Sequence, residues 1–207
     1  MATTQPSLSH QAYLALEHLL VTRQLAPGAV VTEKQLIEMA GHGRTPVREA
    51  IQRLAWQGLI AVRARVGLQI THIREQDQRH ILQVRRELEP LVAALAAEHA
   101  TDAQRAALID CAQTMTASAA TSDLAGFFVA DRRFDGILQD ACPNAFLTQA
   151  LAPLQTHARR ISYAQISVER MDRAITLHVG VIRAVQQGDP AAARKAMLAL
   201  VDATGKV

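Results

Sequence analysis

The sequence predicts a mainly α-helical fold with one short interruption by β structure. Hydrophobic residues make up 49% of the 207 residues, enough for a sizeable core, whereas aromatic residues make up only 3%. Alanine and leucine favour helices, because alanine loses no side-chain entropy on helix formation and leucine loses little. Apolar residues recur at helical spacing along most of the chain, and only residues 60–70 show the alternation of short strands.

The first two helices are marked by apolar stripes and by the breakers that follow them. The first runs from about residue 9 to residue 24 and stops before Pro27-Gly28. The second begins at Thr32, whose hydroxyl can cap the backbone of Gln35 while the Gln35 side chain reaches back, and it ends at Gly41.

A third helix and a hairpin come next. Thr45-Pro46 predicts the helix start, with threonine as N-cap and proline at the first helical position, and the helix ends before Gly58. Alternating residues at 60–62 and 68–70, around a turn near residues 64–67, predict two short strands. Helix, helix, turn, helix and hairpin is the order of a winged helix-turn-helix, which we place at residues 1–74.

The rest of the chain, residues 75–207, is predicted to be an all-helical domain. Thr101 with Gln104 forms a second capping box, Gly188-Asp189-Pro190 separates the last two helices, and Pro90 is a candidate kink in the first. The expected helices lie near residues 75–99, 102–120, 123–141, 144–164, 168–187 and 190–204.

The charge is unevenly distributed along the chain. Residues 1–74 hold eight Lys/Arg and four acidic residues, for a net +4, and the rest holds 14 basic and 15 acidic residues, for a net −1. A basic first third favours a nucleic-acid contact, although a merely basic surface would look the same.

The start of the third helix is the best candidate for reading DNA. Arg44, Thr45 and Arg48 lie at the end that enters a major groove, where arginine can pair bidentately with guanine and either residue type can hold phosphate. Arg63 and Arg65 flank the hairpin turn, where a wing would touch the DNA backbone or minor groove. Each arginine alone could equally be a solvated surface residue.

The string Arg44-Thr45-Pro46-Val47-Arg48-Glu49-Ala50 is highly specific, and with it residues 9–72 resemble the GntR family of bacterial repressors. The resemblance implies that Lys34, Arg44, Thr45, Arg48 and the wing residue Gly67 touch operator DNA. Lys34 stands where the family often has arginine, so its charge is kept and the bidentate fork is lost; Gly43 stands where it usually has serine. The matching strings are Glu33-Lys34-x-Leu36 and Gly43-Arg44-Thr45-Pro46-Val47-Arg48-Glu49-Ala50-Ile51-x-x-Leu54-x-x-x-Gly58-Leu59-Ile60.

Beginning with Val84-Arg85-Arg86-x-Leu88-Glu89-Pro90, residues 75–207 resemble the FCD ligand-binding domain of the FadR-like branch of that family. The resemblance implies an antiparallel helical bundle around a small-molecule pocket. The matching residues are Val84-Arg85-Arg86-x-Leu88-Glu89-Pro90, Asp131-x-x-Phe134, Asn144, His178-x-x-x-Ile182-x-Ala184-x-x-x-Gly188-Asp189 and Ala196-Met197.

Many such domains hold a divalent metal through one aspartate and three histidines. Here Asp131 and His178 match, but Asp135 and Leu200 stand at the two other histidine positions. Asp131, Asp135 and His178 could still bind a metal weakly, with water in the open positions. The alternative is that Asp135 and His178 are simply polar residues of the pocket.

The resemblance also implies a small organic acid as effector. Arginine binds carboxylates bidentately, so arginines of the helical domain are candidate clamps together with the polar residues Asp131, Asp135 and His178, and His157 is a further candidate lining residue. Surface arginines are the alternative, since neighbours on a helix point in different directions. The candidate arginines are Arg85, Arg86, Arg132, Arg159 and Arg160.

These observations predict a ligand-responsive transcriptional regulator, a repressor in preference to an activator, that binds double-stranded operator DNA as a homodimer and is not an enzyme. The alternatives are a metal-dependent helical enzyme, for which no nucleophile motif or phosphate loop is present, an effector-free architectural DNA-binding protein, and a protein-interaction module. Cys111 and Cys142 are expected to be buried thiols. With no signal pattern or membrane span, the expected location is the cytoplasm.

Overall fold

The computed structural model describes residues 7–204. The chain divides into two compact units, residues 1–74 and residues 75–207.

The first unit contains three helices and a small antiparallel sheet, as a winged helix-turn-helix does. The strand order is β1-β3-β2, and in the β2–β3 hairpin Ile60 is opposite Ile70 and Arg63 opposite Gly67. The elements are α1 (Leu8–Val21), β1 (Val30–Val31), α2 (Glu33–Ala40), α3 (Arg44–Trp56), β2 (Ile60–Arg63) and β3 (Gly67–Ile70).

Three details of this unit differ from the sequence prediction. The sheet has a third strand, β1, which at two residues is too short to show an alternating pattern. Helix α1 ends at Val21, not near residue 24, and Arg23 then adopts a positive φ of 60°. The N-cap of α3 is Gly43, not Thr45, so Pro46 occupies the third helical position. Proline is tolerated there because the N–H groups of the first turn have no partner within the helix.

The core of the first unit lies between its helices. Leu16, Leu20, Leu36 and Leu54 are all fully buried in a single cluster that continues onto the sheet through Ile70. Each such side chain contributes about 1.5–3 kcal/mol through burial. This core fixes α3 against α1 and α2 and leaves its polar side free.

The second unit is built from helices alone over its described residues. Its capping box at Thr101 and Gln104 forms as predicted, and Asp123 and Asn144 cap the two helices that follow. The elements are α4 (Glu75–His99), α5 (Asp102–Ala120), α6 (Leu124–Ala141), α7 (Ala145–Gln165), α8 (Val168–Gln186) and α9 (Pro190–Thr204).

Helix α4 is the longest and packs along α9, α7, α8 and α6. It continues as one helix through Pro90. Cys111 and Cys142 are buried free thiols. Within residues 7–204, no helix is both long enough and apolar enough to cross a membrane.

Candidate functional site

The first candidate site is the exposed start of α3. Gly43 has no side chain to cap the helix, so the first backbone N–H groups are open to an external acceptor. Arg44 and Thr45 are exposed and make no hydrogen bond or ion pair with any residue in the described range. An uncapped helix start beside an arginine favours an anion, because the N–H groups and the helix dipole both attract negative charge.

Arg48 lies one turn further along α3 and is held by α2. Its Nε is 2.8 Å from Oε1 of Glu33, and its side chain is 58% exposed. An ion pair this exposed contributes at most about 1 kcal/mol, so a DNA phosphate or guanine could replace Glu33 at small cost. Lys34, the next residue on α2, is 86% exposed and lies 3.8 Å from Glu38.

The hairpin supplies two further exposed arginines. Arg63 Nε donates a hydrogen bond to Gln69 Oε1 at 3.2 Å, and Arg65 occupies the turn with a φ of 64°. Gly67 has a φ of 124°, and a Cβ there would lie 3.1 Å from the carbonyl oxygen of Val31. Gly67 is therefore required by the sheet itself, whatever it does at DNA.

Arg53 has a structural role. Its guanidinium lies 4.0 Å from the centre of the Tyr13 ring, and the Tyr13 hydroxyl donates to Gln57 at 3.1 Å. These contacts tie the end of α3 to α1.

The second candidate site is a cavity of about 240 Å³ inside the helical unit. One part of its wall is apolar, with Phe127, Phe128, Leu177 and Leu200 among the lining residues. The charged and titratable lining residues are Arg85, Glu89, Asp131, Asp135, Arg159, Arg170, Arg173 and His178.

His178 is fixed in the cavity wall by hydrogen bonds at both ring nitrogens. Nδ1 lies 2.7 Å from the Ala174 carbonyl oxygen and Nε2 lies 3.1 Å from Asp131 Oδ1. Phe134 packs edge-on against the ring, with centroids 4.8 Å apart. Burial disfavours the imidazolium, but the hydrogen bond and charge of Asp131 outweigh it and raise the pKa of His178.

Arg159 is paired with both aspartates of α6. Its Nη1 lies 2.5 Å from Asp135 Oδ2 and 3.9 Å from Asp131 Oδ2. Burial, and then the charge of Asp131, raise the pKa of Asp135 to about 8, against the opposing effect of Arg159. Burial also acts to raise the pKa of Asp131, but His178 and then Arg159 reverse this and lower it.

Arg85 and Glu89 form a second buried ion pair, one turn apart on α4. Arg85 Nε lies 2.6 Å from Glu89 Oε1 and its Nη2 lies 3.2 Å from Oε2, so the pairing is bidentate. The remaining Nη1 donates to the Thr204 hydroxyl at 3.2 Å, which joins α4 to α9. Both charged side chains are at least 90% buried.

The cavity brings together most, but not all, of the predicted effector residues. Arg85, Asp131, Asp135, Arg159 and His178 line it. Arg86 does not, because it points away from its neighbour Arg85 and pairs with Asp202 at 3.2 Å with half of its side chain exposed. Arg132, His157 and Arg160 are also not among the lining residues.

Sequence reasoning missed several lining residues, chiefly Glu89, Gln155, Arg170 and Arg173. The spacing of Arg85 and Glu89, four residues apart on a helix, was a usable signal for their pairing. Nothing in the local pattern marked the other three.

The predicted metal ligands do not assemble into a metal site. Among the residues that the structure describes, no group of three His, Cys, Asp or Glu side chains is placed to hold an ion. Arg159 binds the carboxylates of Asp131 and Asp135, Leu200 offers no donor atom, and Asp131 is already bonded to His178. The site therefore does not fit the metal that the resemblance implied.

Comparison with known families agrees with both units. The description "Bacterial regulatory proteins, gntR family" matches residues 8–70, and the FCD domain matches residues 80–203, more than half of the chain. The chain belongs to the GntR family, with an FCD domain. This GntR-family protein is a transcriptional regulator and not an enzyme.

Two relatives extend over most of the chain. The transcriptional repressor RspR of Escherichia coli K12 is 27% identical over 195 residues, covering 94% of this chain and 85% of RspR. A probable D-xylose utilization operon transcriptional repressor of Paenarthrobacter nicotinovorans is 29% identical over 178 residues, covering 84% of this chain and 76% of the relative.

Solved structures share the fold. E. coli McbR/YncC aligns with a TM-score of 0.80 at 23% identity, covering 96% of this chain and 95% of that one. A GntR regulator of Rhodococcus sp. RHA1 aligns with a TM-score of 0.71 at 18% identity, covering 94% and 93%. GntR regulators bind operator DNA and FCD domains bind small-molecule effectors, which matches the two candidate sites.

Proposed function

We propose that this GntR-family regulator is a repressor whose operator binding is controlled by a small organic acid in the cavity of the helical unit. The observation that carries the proposal is the cavity itself, about 240 Å³ with charged groups along one wall. A purely architectural DNA-binding protein would have no use for such a cavity. Since the operator lies in the bacterial cytoplasm, we place the protein there.

The charge of the cavity wall favours an anionic effector. Four lining arginines face three lining acids, an excess of one positive charge even with His178 neutral. Arg85 and Arg159 are paired with internal carboxylates, whereas Arg173 is exposed and makes no ion pair or hydrogen bond with the described residues. We therefore assign the effector carboxylate to Arg173 and its neighbour Arg170 on α8.

The buried wall favours hydroxyl groups on the same molecule. The carboxylates of Asp131, Asp135 and Glu89 keep acceptor lone pairs after pairing with arginine, and each could accept from a ligand hydroxyl. The relative from P. nicotinovorans, named for D-xylose utilization, is consistent with a hydroxylated effector. We therefore propose a hydroxy or polyhydroxy carboxylic acid.

A thermal-shift screen of small hydroxy acids against the purified protein tests this assignment. A ligand at a hundredfold excess over its dissociation constant stabilises the folded state by about 2.7 kcal/mol, which should raise Tm by roughly 5–10 °C. The Arg173→Ala variant should lose this shift. Arg133→Ala, which removes an exposed arginine paired with Asp110, should keep it. An equal shift in both variants would exclude Arg173 as the carboxylate contact.

A hydroxy acid that raises Tm in this screen should also release the protein from operator DNA. Ligand that stabilises the protein but leaves operator affinity unchanged would contradict the regulatory role. A screen in which only neutral sugars raise Tm would contradict the proposal that the effector carries a carboxylate, and would indicate that the cavity binds sugars.

We also propose that the protein binds DNA as a homodimer. One reading helix spans only a few base pairs, so useful affinity needs two copies on a pseudo-palindrome, about one helical turn or more apart. Light scattering at micromolar protein should give twice the 22.5 kDa chain mass, with two chains per operator. A monomer that binds its operator one to one would contradict the proposal.

A further inference from the structure

The polar cluster formed by Asp131, Asp135, Arg159 and His178 carries an inference that needs neither the effector nor DNA. Asp131 and Asp135 are one turn apart on α6, and both side chains are less than a fifth exposed. Two buried acidic side chains this close need a cation or a proton between them. We propose that the guanidinium of Arg159 is that cation, occupying the place where the family resemblance implied a divalent metal.

The geometry puts Arg159 where an ion would be. A single nitrogen, Nη1, lies 2.5 Å from Asp135 Oδ2 and 3.9 Å from Asp131 Oδ2. A metal bound by these oxygens would lie about 2.0–2.2 Å from them. The guanidinium nitrogen of Arg159 already occupies the space next to Asp135 that such a metal would need. The ion and the guanidinium cannot share this space, and two cations at that separation would repel.

Arg159 is also held through its second terminal nitrogen. Its side chain is 8% exposed, and Nη2 donates to the Thr156 hydroxyl at 3.3 Å, one turn back on α7. Moving the guanidinium aside to admit a metal would break this bond and the pairing with Asp135 together. Because the guanidinium keeps its charge at any physiological pH, the cluster holds together regardless of metal supply.

The remaining donors offer only a partial metal shell, so an ion bound after removal of Arg159 would complete its coordination with water. Asp131 Oδ1 is bonded to His178 Nε2, and the position expected to supply a further imidazole is Leu200, which packs in the cavity wall. Asp135 and Leu200, which stand where the resemblance implies histidine, and Arg159 thus form together an arrangement of the site that needs no metal.

Removing Arg159 should convert the cluster into a metal site. In the Arg159→Ala variant, two carboxylates and one imidazole remain with space between them, so Mn²⁺ or Zn²⁺ should bind and raise Tm by roughly 5–10 °C at a hundredfold excess over Kd. The wild-type protein should show no such shift and no stoichiometric metal by elemental analysis. Arg159→Lys, which keeps a cation, should resemble wild type in its indifference to metal. Arg133→Ala controls for the loss of one arginine elsewhere.

Two results would overturn the inference. Stoichiometric metal in the wild-type protein, or a metal-dependent Tm shift in it, would show that an ion and Arg159 coexist. An Arg159→Ala variant that folds and is not stabilised by metal would show that the guanidinium does not stand in the ion's place. If Arg159→Ala does not fold without metal, refolding it with and without Mn²⁺ gives the same comparison, since recovery only with Mn²⁺ supports the proposal and recovery with neither contradicts it.

Discussion

Operator affinity should fall about 5- to 150-fold when either Arg44 or Arg48 is replaced by alanine, a loss of about 1–3 kcal/mol. Arg44 is exposed at an uncapped helix start, where its guanidinium and the free N–H groups form a cationic end that favours a DNA phosphate. Arg48 lies one turn further along α3. To contact DNA it has to give up only its exposed ion pair with Glu33. Both effects arise at DNA, so the thermal stability of the variants should stay close to wild type.

The measurement needs a defined operator, which the wild-type protein can select from a pool of random duplexes. Arg133→Ala serves as the control, because it removes one positive charge from the other unit. Arg48→Lys separates the two modes of contact, since lysine restores affinity for a phosphate but not the bidentate pairing of arginine with guanine. Wild-type affinity in both alanine variants would exclude the start of α3 as the reading element.

Local signals were sufficient to predict the helices and most of their ends. The capping boxes at Thr32 and Thr101 and the break at Gly188 depend only on residues within one turn, and the structure confirms all three. The strand β1 was missed because it is defined by pairing with β3, about 40 residues away. The N-cap of α3 was misplaced because Pro46 is compatible with more than one position in a first turn.

The candidate cavity was predicted in its members but not in its connections. Helical spacing places Asp131 and Asp135 on one face of α6, but it cannot say that Arg159, 24 residues further on, pairs with Asp135. It equally cannot say whether a buried arginine clamps a ligand or neutralises an internal acid. Arg85 and Arg86 show the same limit. They are adjacent on α4, yet Arg85 lines the cavity and pairs with Glu89, whereas Arg86 pairs with Asp202 outside it.

Neutralising Glu89 should cause a large loss of stability. Glu89→Gln leaves the Arg85 guanidinium buried beside the cavity without its carboxylate, and breaking a buried pair in this way costs about 3–5 kcal/mol. For a chain of this size, the Tm of the helical unit should fall by about 6–20 °C. Calorimetry is the suitable measurement, because the single tryptophan, Trp56, lies in the other unit.

The same helix provides a matched control for that experiment. Glu75 and Arg79 are also four residues apart on α4 and lie 2.9 Å apart, but both side chains are more than half exposed. Glu75→Gln should therefore cost no more than about 1 kcal/mol. The contrast between the two substitutions reports chiefly on burial, since residue types and spacing are the same and the reversed order of acid and base changes the energy by only a few tenths of a kcal/mol.

Acetate then distinguishes an unpaired guanidinium from a simple packing defect. In Glu89→Gln, the donors of Arg85 face the cavity with no carboxylate to bind, so acetate should raise the variant's Tm more than chloride does at equal ionic strength. The wild-type protein should show a smaller difference between the two salts, because Glu89 already occupies those donors and only the site at Arg170 and Arg173 remains for acetate. A Glu89→Gln variant that melts within a few degrees of wild type would mean that Asp131 and Asp135, the nearby acids that also raise the pKa of Arg85, compensate its charge. In that event Arg85, Glu89, Asp131 and Asp135 would act as one network of charges. Arg85 would then be available to an anionic effector without first releasing Glu89.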